Sequence, residues 1–261
     1  MQDSTIGDGN IKITILRLAE VDSTNTYAKD HCNELPDGAL VCADIQTAGR
    51  GRLGRKWVSE KGNFSGTLLL KKLTNPFLGT MVVSLAALDA LKELAPEAPV
   101  WLKWPNDLYI DECKVAGILS ETTTASDGKC CIAVGLGVNL NLSADEIAAI
   151  DKPAACVGDG KINPEKFASE LAKYAQMYYI MGIAHSADLF ELWRKRNDLV
   201  GMELVLELGN QQVAYGTAAG IAPDGALVMR DAQGSIRNYY CGDVSVNRQS
   251  VRRALEKRKR S

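Results

Sequence analysis

The stretch VWLKWPNDLYIDECKVAGILSETTTASDGKCCIAVGLGV, residues 100–138, decides the fold. Within it, Val100 to Lys103, Asp107 to Ile110, Lys114 to Glu121 and Lys129 to Val138 read as strands, with turn signals at Asp111-Glu112 and Ser126-Asp127-Gly128. Connections this short can join only antiparallel neighbours. The stretch therefore predicts a meander, and the sheet it belongs to is mainly antiparallel or mixed.

Working outward, Ile11 to Leu18, Ala39 to Ile45 and Gly66 to Leu70 supply further strands. Asp22 or Ser23 can cap a helix running through Ala28 toward Leu35, and Pro36-Asp37-Gly38 forces a turn after it. Asn75-Pro76 opens a largely buried helix over Phe77 to Leu94, Ser143 and Glu146 form a capping box, Asn163-Pro164 opens a helix through Met181, and Ser186 opens another ending near Arg196. Helices packed on a mainly antiparallel sheet make the class α+β. After Asn197 the texture changes to short strands, Glu203 to Leu208, Val213 to Ile221, Ala226 to Arg230 and Ser235 to Tyr240, set apart by Gly-rich turns. These predict a small β-barrel domain over 198–247 behind a first domain over 1–197, with a basic tail over 248–261 that is assigned no function.

Composition narrows the function. In 261 residues the chain is 46% hydrophobic and 24% charged with a formal net charge of -2, so any attraction to an anion must be local. The polar start MQDSTIGDGN lacks the pattern of a secretory signal, and no apolar run reaches the roughly 18 residues of a membrane span, which points to a cytoplasmic protein without membrane contact. Seven scattered cysteines without C-x-x-C spacing support neither a disulfide framework nor a zinc site, and the two histidines, His31 and His185, stand near no plausible nucleophile.

The chemistry lies in four segments. Gly49 to Trp57, GRGRLGRKW, carries Arg50, Arg52, Arg55 and Lys56 on a backbone loosened by Gly49, Gly51 and Gly54, so it can wrap an anion through side chains and exposed N–H groups. The segment has no helix start after Gly54 and no Ser or Thr after its lysine, which excludes both the dinucleotide fingerprint and the Walker A loop. A bare basic patch is the competing reading of this loop alone. In LKWPNDLYIDECKVAGILSE, Pro105 fixes a turn at a strand end that presents Asn106 and Asp107, flanked by Lys103 and Lys114. Asp22-Ser23-Thr24-Asn25 can cap a helix or bind a ligand, and Gly135 to Asn141, GLGVNLN, ends a strand with small residues that permit close approach.

Taken together, Ser23 to Asn25, QTAGRGRLGRKW at Gln46 to Trp57, KWPNDLYI at Lys103 to Ile110, KVAGIL at Lys114 to Leu119 and GLGVNLN resemble the biotin-protein ligases over most of the chain. The resemblance implies a catalytic domain like that of class II aminoacyl-tRNA synthetases followed by an SH3-like barrel. Because the first strand begins almost at once, it also implies a ligase without the DNA-binding repressor domain of some members. The implied reaction joins biotin to ATP with Mg2+ to give biotinyl-AMP, and passes the acyl group to a lysine of a biotin carboxyl carrier protein or domain.

By the same resemblance, Ser23, Thr24, Asn25, Gln46, Gly49, Arg50, Gly51, Arg52, Lys114 and Gly117 contact biotin. Arg52, Arg55, Trp57, Lys103, Asn106 and Asn139 contact the nucleotide. Lys114, Arg52, Lys103 and Asp107 carry the chemistry, with Asp107 orienting the acceptor lysine or a magnesium shell. Monomer and homodimer both stay open.

A lipoate or octanoate ligase is the nearest alternative, but its R-R-x-S-G-G-G loop is absent. A nucleic-acid-binding module using the basic loop is the alternative from another class, and the net charge of -2 speaks against it.

Overall fold

The computed structural model describes residues 11–150, 152–157, 161–197, 199–209, 212–240 and 242–246. The sequence's opening ten residues and its basic tail lie outside them.

The first sheet holds seven strands: β1 (Thr14–Val21), β2 (Ala39–Gln46), β3 (Phe64–Leu70), β4 (Val100–Lys103), β5 (Asp107–Ile110), β6 (Cys113–Thr124) and β7 (Cys130–Val138). Their order is β1-β2-β3-β7-β6-β5-β4, so residues 100–138 form the expected meander and β3 pairs back onto its last strand. Only β1 and β2 run parallel, because a helix carries the chain between them; every other pair is antiparallel. The sheet is therefore mixed and mainly antiparallel.

Every residue of β3 is buried, because both faces of the sheet are covered. On one face lie α2 (Pro76–Leu94), capped by Asn75, and α4 (Pro164–Ala184), capped by Asn163, with α5 (Ser186–Lys195) packed on both. Leu68, Leu70, Ile132 and Val134 point into this layer with Val82, Leu85 and Phe167, forming the main core. Each such side chain, fully buried, contributes roughly 1.5–3 kcal/mol. On the other face lies α1 (Thr24–Asp30), whose Ala28 packs on Val41 and Ala133. That short helix leaves much of its face of the sheet for a ligand.

α3 (Ala144–Ala148) is the short helix begun by the Ser143–Glu146 capping box. Beyond it, β8 (Glu203–Gly209), β9 (Gln212–Ile221), β10 (Leu227–Arg230), β11 (Ile236–Tyr239) and β12 (Asp243–Val246) form a five-stranded antiparallel sheet in the order β11-β10-β9-β8-β12, the SH3-like domain. Its last strand, β12, has no counterpart in the sequence reading. The Pro223–Gly225 turn of this domain reaches the first one: Trp104 Nε1 donates to Gly225 O at 3.0 Å.

Candidate functional site

A cavity of about 520 Å3 opens on the α1 face of the large sheet. Its floor follows from strand register. Ser65, Gly137, Gly117 and Asp107 are successive cross-strand neighbours on β3, β7, β6 and β5. The two central positions lack side chains, and Trp57 lies in the gap: a Cβ built at Gly137 would stand 2.2 Å from its Nε1, and one at Gly117 would stand 3.2 Å from its Cζ3. Gly137 of GLGVNLN and Gly117 of KVAGIL thus leave room for the Trp57 indole, and Gly135 leaves room for Asn25.

One end of the cavity is lined by uncharged polar groups, with an ion pair behind them. Ser23 caps α1, which sets Thr24 and Asn25 on its first turn facing the sheet. Gln46 Oε1 accepts from Thr24 N at 2.8 Å and from Thr24 Oγ1 at 3.0 Å, and its Nε2 donates to Ser59 Oγ at 2.8 Å. Thr67 Oγ1, fully buried, lies 2.8 Å from Thr24 Oγ1 and 2.7 Å from Asn25 Oδ1. Asn25 Nδ2 in turn donates to Glu121 at 2.8 Å, and Lys29 closes the network on the same carboxylate at 2.9 Å. Burial pushes the Glu121 carboxyl up, but the hydrogen bonds from Asn25 and Lys29 outweigh it and hold it below the usual range.

The other end is charged. Lys114 Nζ stands 2.6 Å from Asp107 Oδ1, an ion pair without hydrogen-bond alignment, and 5.6 Å from the centre of the Trp57 ring. Arg52 Nη1 donates to Asn106 Oδ1 at 3.0 Å, and the turn that presents Asn106 contains a cis Trp104–Pro105 bond. Arg52, Asn106, Asp107 and Lys114 thus converge on one wall.

The GRGRLGRKW segment covers this cavity as a small hairpin. Arg50 and Lys56 bridge as antiparallel neighbours, Gly51 N donates to Arg55 O at 2.7 Å, Trp57 N donates to Gly49 O at 3.0 Å, and Arg52–Gly54 makes a 3-10 turn at the tip. Arg50 Nη2 reaches Thr26 Oγ1 at 2.9 Å, pinning the hairpin to α1. The N–H groups of Gly51, Arg55 and Trp57 bond within the loop and are spent there.

Of the residues singled out in the sequence, Ser23, Thr24, Asn25, Gln46, Arg50, Gly51, Arg52, Arg55, Trp57, Asn106, Asp107, Lys114 and Gly117 line the cavity. Gly49 sits beneath the hairpin root, packed against Ser59 and the Trp57 carbonyl. Lys103 and Asn139 stand behind the wall. Lys103, 4% exposed, places Nζ 2.7 Å from the Tyr109 hydroxyl and 4.0 Å from Asp107 Oδ2. Asn139 donates to the carbonyls of Lys114 at 3.4 Å and Ala155 at 3.2 Å. Sequence reasoning missed Ser59 and Thr67, which hold the polar end, and Ile150 and Lys152, which reach the cavity from the segment after α3. The strand position of Thr67 and the Gly135-x-Gly137 spacing carried some signal; Ile150 and Lys152 carried none, because the return of their segment to Lys114 is non-local.

Comparison with known proteins agrees with this geometry. The model of the biotin/lipoate A/B protein ligase family matches residues 18–139, and that of the biotin protein ligase C terminal domain matches residues 203–246. The chain is 35% identical over 228 residues to the biotin–[acetyl-CoA-carboxylase] ligase of Paracoccus denitrificans, an alignment covering 83% of this chain and 94% of that one. It is 28% identical to the bifunctional ligase/repressor BirA of Escherichia coli strain K12 over 88% of this chain and 73% of that one. Biotin protein ligase from Aquifex aeolicus, solved in complex with biotin and ATP, matches with a TM-score of 0.74 at 28% identity, covering 89% of this chain and 98% of that one. A fold, a cavity and a sequence that agree over both domains have one reading: the chain belongs to the biotin-protein ligases.

Proposed function

We propose that this chain activates biotin with ATP to biotinyl-5'-AMP and transfers the biotinyl group to a lysine of a biotin carboxyl carrier protein. The observation that carries the reading is the polarity of one cavity, hydrogen-bonding and uncharged at Thr24 and Gln46, cationic at Arg52 and Lys114, with the Trp57 ring on the glycine floor beside Lys114. A ureido ring suits the first end and a carboxylate meeting a phosphate suits the second.

In the first step a carboxylate oxygen of biotin attacks the α-phosphorus, an O–P bond forms and pyrophosphate leaves with the electron pair of the broken bond. Two anions meet, so the work is charge neutralisation and alignment. Arg52 and Lys114 face the reacting oxygens, Asp107 holds Lys114 in place, and Asn106 fixes Arg52. Ser23, Thr24, Asn25 and Gln46 take the ring, Gly117 supplies floor, and Gly49, Arg50 and Gly51 root the lid. Arg55 and Trp57 cover the nucleotide. Lys103 acts by supporting Asp107, and Asn139 by holding the strand ends behind Lys114.

Magnesium would arrive with the phosphates. Among the described residues no three carboxylate, histidine or cysteine side chains gather to hold a metal alone, and Asp107 is the carboxylate in the cavity wall open to sharing such a shell. The residues named above all line or support a cavity of one chain. No described helix is long and apolar enough to cross a membrane.

The test is ATP-dependent transfer of biotin to a carrier domain, followed by mass measurement, with lipoate as the control. Biotin-dependent mass gain on the carrier lysine is the expected outcome; gain with lipoate alone would overturn the reading.

A further inference from the structure

At the polar end of the cavity, the chemistry of each hydrogen-bond partner fixes where each proton lies. Glu121 is the terminus. Lys29 Nζ at 2.9 Å and Asn25 Nδ2 at 2.8 Å both donate to it, and these bonds hold its carboxyl ionised at neutral pH, so it can only accept. The other proton of Asn25 Nδ2 goes to Leu119 O at 3.1 Å. Both protons of this amide are therefore spent, and its Oδ1 faces Thr67.

Thr67 Oγ1 stands 2.7 Å from Asn25 Oδ1 and 2.8 Å from Thr24 Oγ1, and it has a single proton. An amide oxygen cannot donate, so that proton goes to Asn25. Two hydroxyl oxygens 2.8 Å apart need a proton between them, and Thr24 must supply it. Thr24 thus donates inward, with Gln46 Oε1 also on that side at 3.0 Å, and keeps only lone pairs for the cavity it lines. The order Thr24, Thr67, Asn25, Glu121 runs one way. Thr24, Asn25 and Thr67 are 3%, 4% and 0% exposed, so solvent does not scramble it. Gly135 gives the network its room, since a Cβ there would stand 2.4 Å from Asn25 Oδ1.

We propose that Thr67 and Glu121, neither of which lines the cavity, are positioning residues that set the specificity of its polar end: they hold the Thr24 hydroxyl as an acceptor, so the site takes an acyl ligand whose ring presents an N–H. The proposal rests on the ligase reading and deepens it. A ring N–H donating to Thr24 adds one more bond to a chain that ends on a carboxylate, and bonds in such a chain strengthen one another away from water. A ring oxygen in the same place meets a lone pair and leaves Thr24 unsatisfied, which is how a site built for a donor rejects a ligand without one. A dithiolane ring, with no N–H, fails in the same way. The network sorts acyl ligands by their rings, a distinction the charged wall cannot make because it meets the carboxylate they share. Were the network only a fastening of α1 to the sheet, its loss would weaken every ligand alike.

The test uses the full chain with Thr67→Val, which keeps the shape and removes the relay, Thr67→Ser, which keeps the hydroxyl, and Glu121→Gln, whose amide no longer fixes the direction. Ligand-dependent ATP–pyrophosphate exchange is measured with biotin and with two cyclic-carbamate analogues, in each of which one ring N–H is replaced by oxygen. The parent is expected to prefer biotin over one analogue by about a hundredfold or more in kcat/KM. That preference should fall about tenfold in Thr67→Val, because the Thr24 proton can then turn to the cavity, fall about threefold or more in Glu121→Gln, and return in Thr67→Ser. An equal loss for all three ligands in Thr67→Val would show a packing tie and overturn the assignment, as would a preference in Glu121→Gln equal to the parent's. Absence of exchange with biotin in the parent protein would instead bring down the ligase reading itself.

Discussion

The indole of Trp57 lies on Gly137: a Cβ at that glycine would be 2.2 Å from Nε1 and 2.3 Å from Cε2. The lid therefore closes onto bare backbone, and any side chain at 137 lifts it. We predict that Gly137→Val raises the release rate of preformed biotinyl-AMP by about tenfold, equivalent to roughly 1.4 kcal/mol of lost retention. Trp57 fluorescence should shift toward that of an exposed indole in the same variant. A release rate equal to the parent's would mean that Trp57 does not seal the site.

Lys114 and Asp107 form the tightest charge contact of the cavity wall, at 2.6 Å, with the Asp107 side chain 15% exposed. Lys114→Ala is expected to abolish biotin-dependent pyrophosphate exchange. Its melting temperature should fall as well. The substitution strands a part-buried carboxylate whose remaining cation, Lys103, is 4.0 Å away. A loss of about 1–2 kcal/mol follows, a drop of roughly 2–6 °C by calorimetry. Retained exchange would remove Lys114 from the chemistry; an unshifted melting temperature would show Asp107 to be well solvated.

What could be read from the sequence was what is encoded locally. Ser23, Asn75, Ser143 and Asn163 cap their helices as expected, because a cap is a bond between residues two or three apart. The meander was legible because its turns are short. The pairing of β3 with β7 was not, since nothing in Phe64–Leu70 names its partner. Lys103 shows the limit at the site. It flanks the same turn as Asn106, but its burial against Tyr109 could not be read from the sequence, because a four-residue strand does not announce which face is outward. β12 escaped because Asp243–Val246 is short and follows a glycine, a pattern equally suited to a loop.

Ser59 ties the ring end of the cavity to the lid. Its Oγ accepts from Gln46 Nε2 at 2.8 Å and would lie 2.9 Å from a Cβ at Gly49, the root of the hairpin. With Nε2 held there, Gln46 must turn Oε1 toward Thr24. Ser59→Ala frees the amide to flip and leaves a part-buried N–H unpaired, which costs about 1–3 kcal/mol. We expect the KM for biotin to rise about tenfold with kcat within about twofold, and Ser59→Thr to recover most of the loss. An unchanged KM for biotin would show that Gln46 is oriented by Thr24 alone.

Glu121 makes the polar end sensitive to acid. Its carboxyl is pushed up by burial and drawn down further by Asn25 and Lys29, so the folded value lies below that of the unfolded chain. For a depressed carboxyl, the stabilisation is present above the unfolded value, near 4.3, and is lost as pH falls through the folded one. Glu121→Gln abolishes that titration. The parent should therefore melt above the variant at pH 7, and the gap should close as the pH is lowered below about 4. Because Asn25 depends on the same carboxylate, the variant should also bind biotin more weakly at pH 7. A melting gap that persists unchanged into acid would assign the difference to packing rather than to the charge on Glu121.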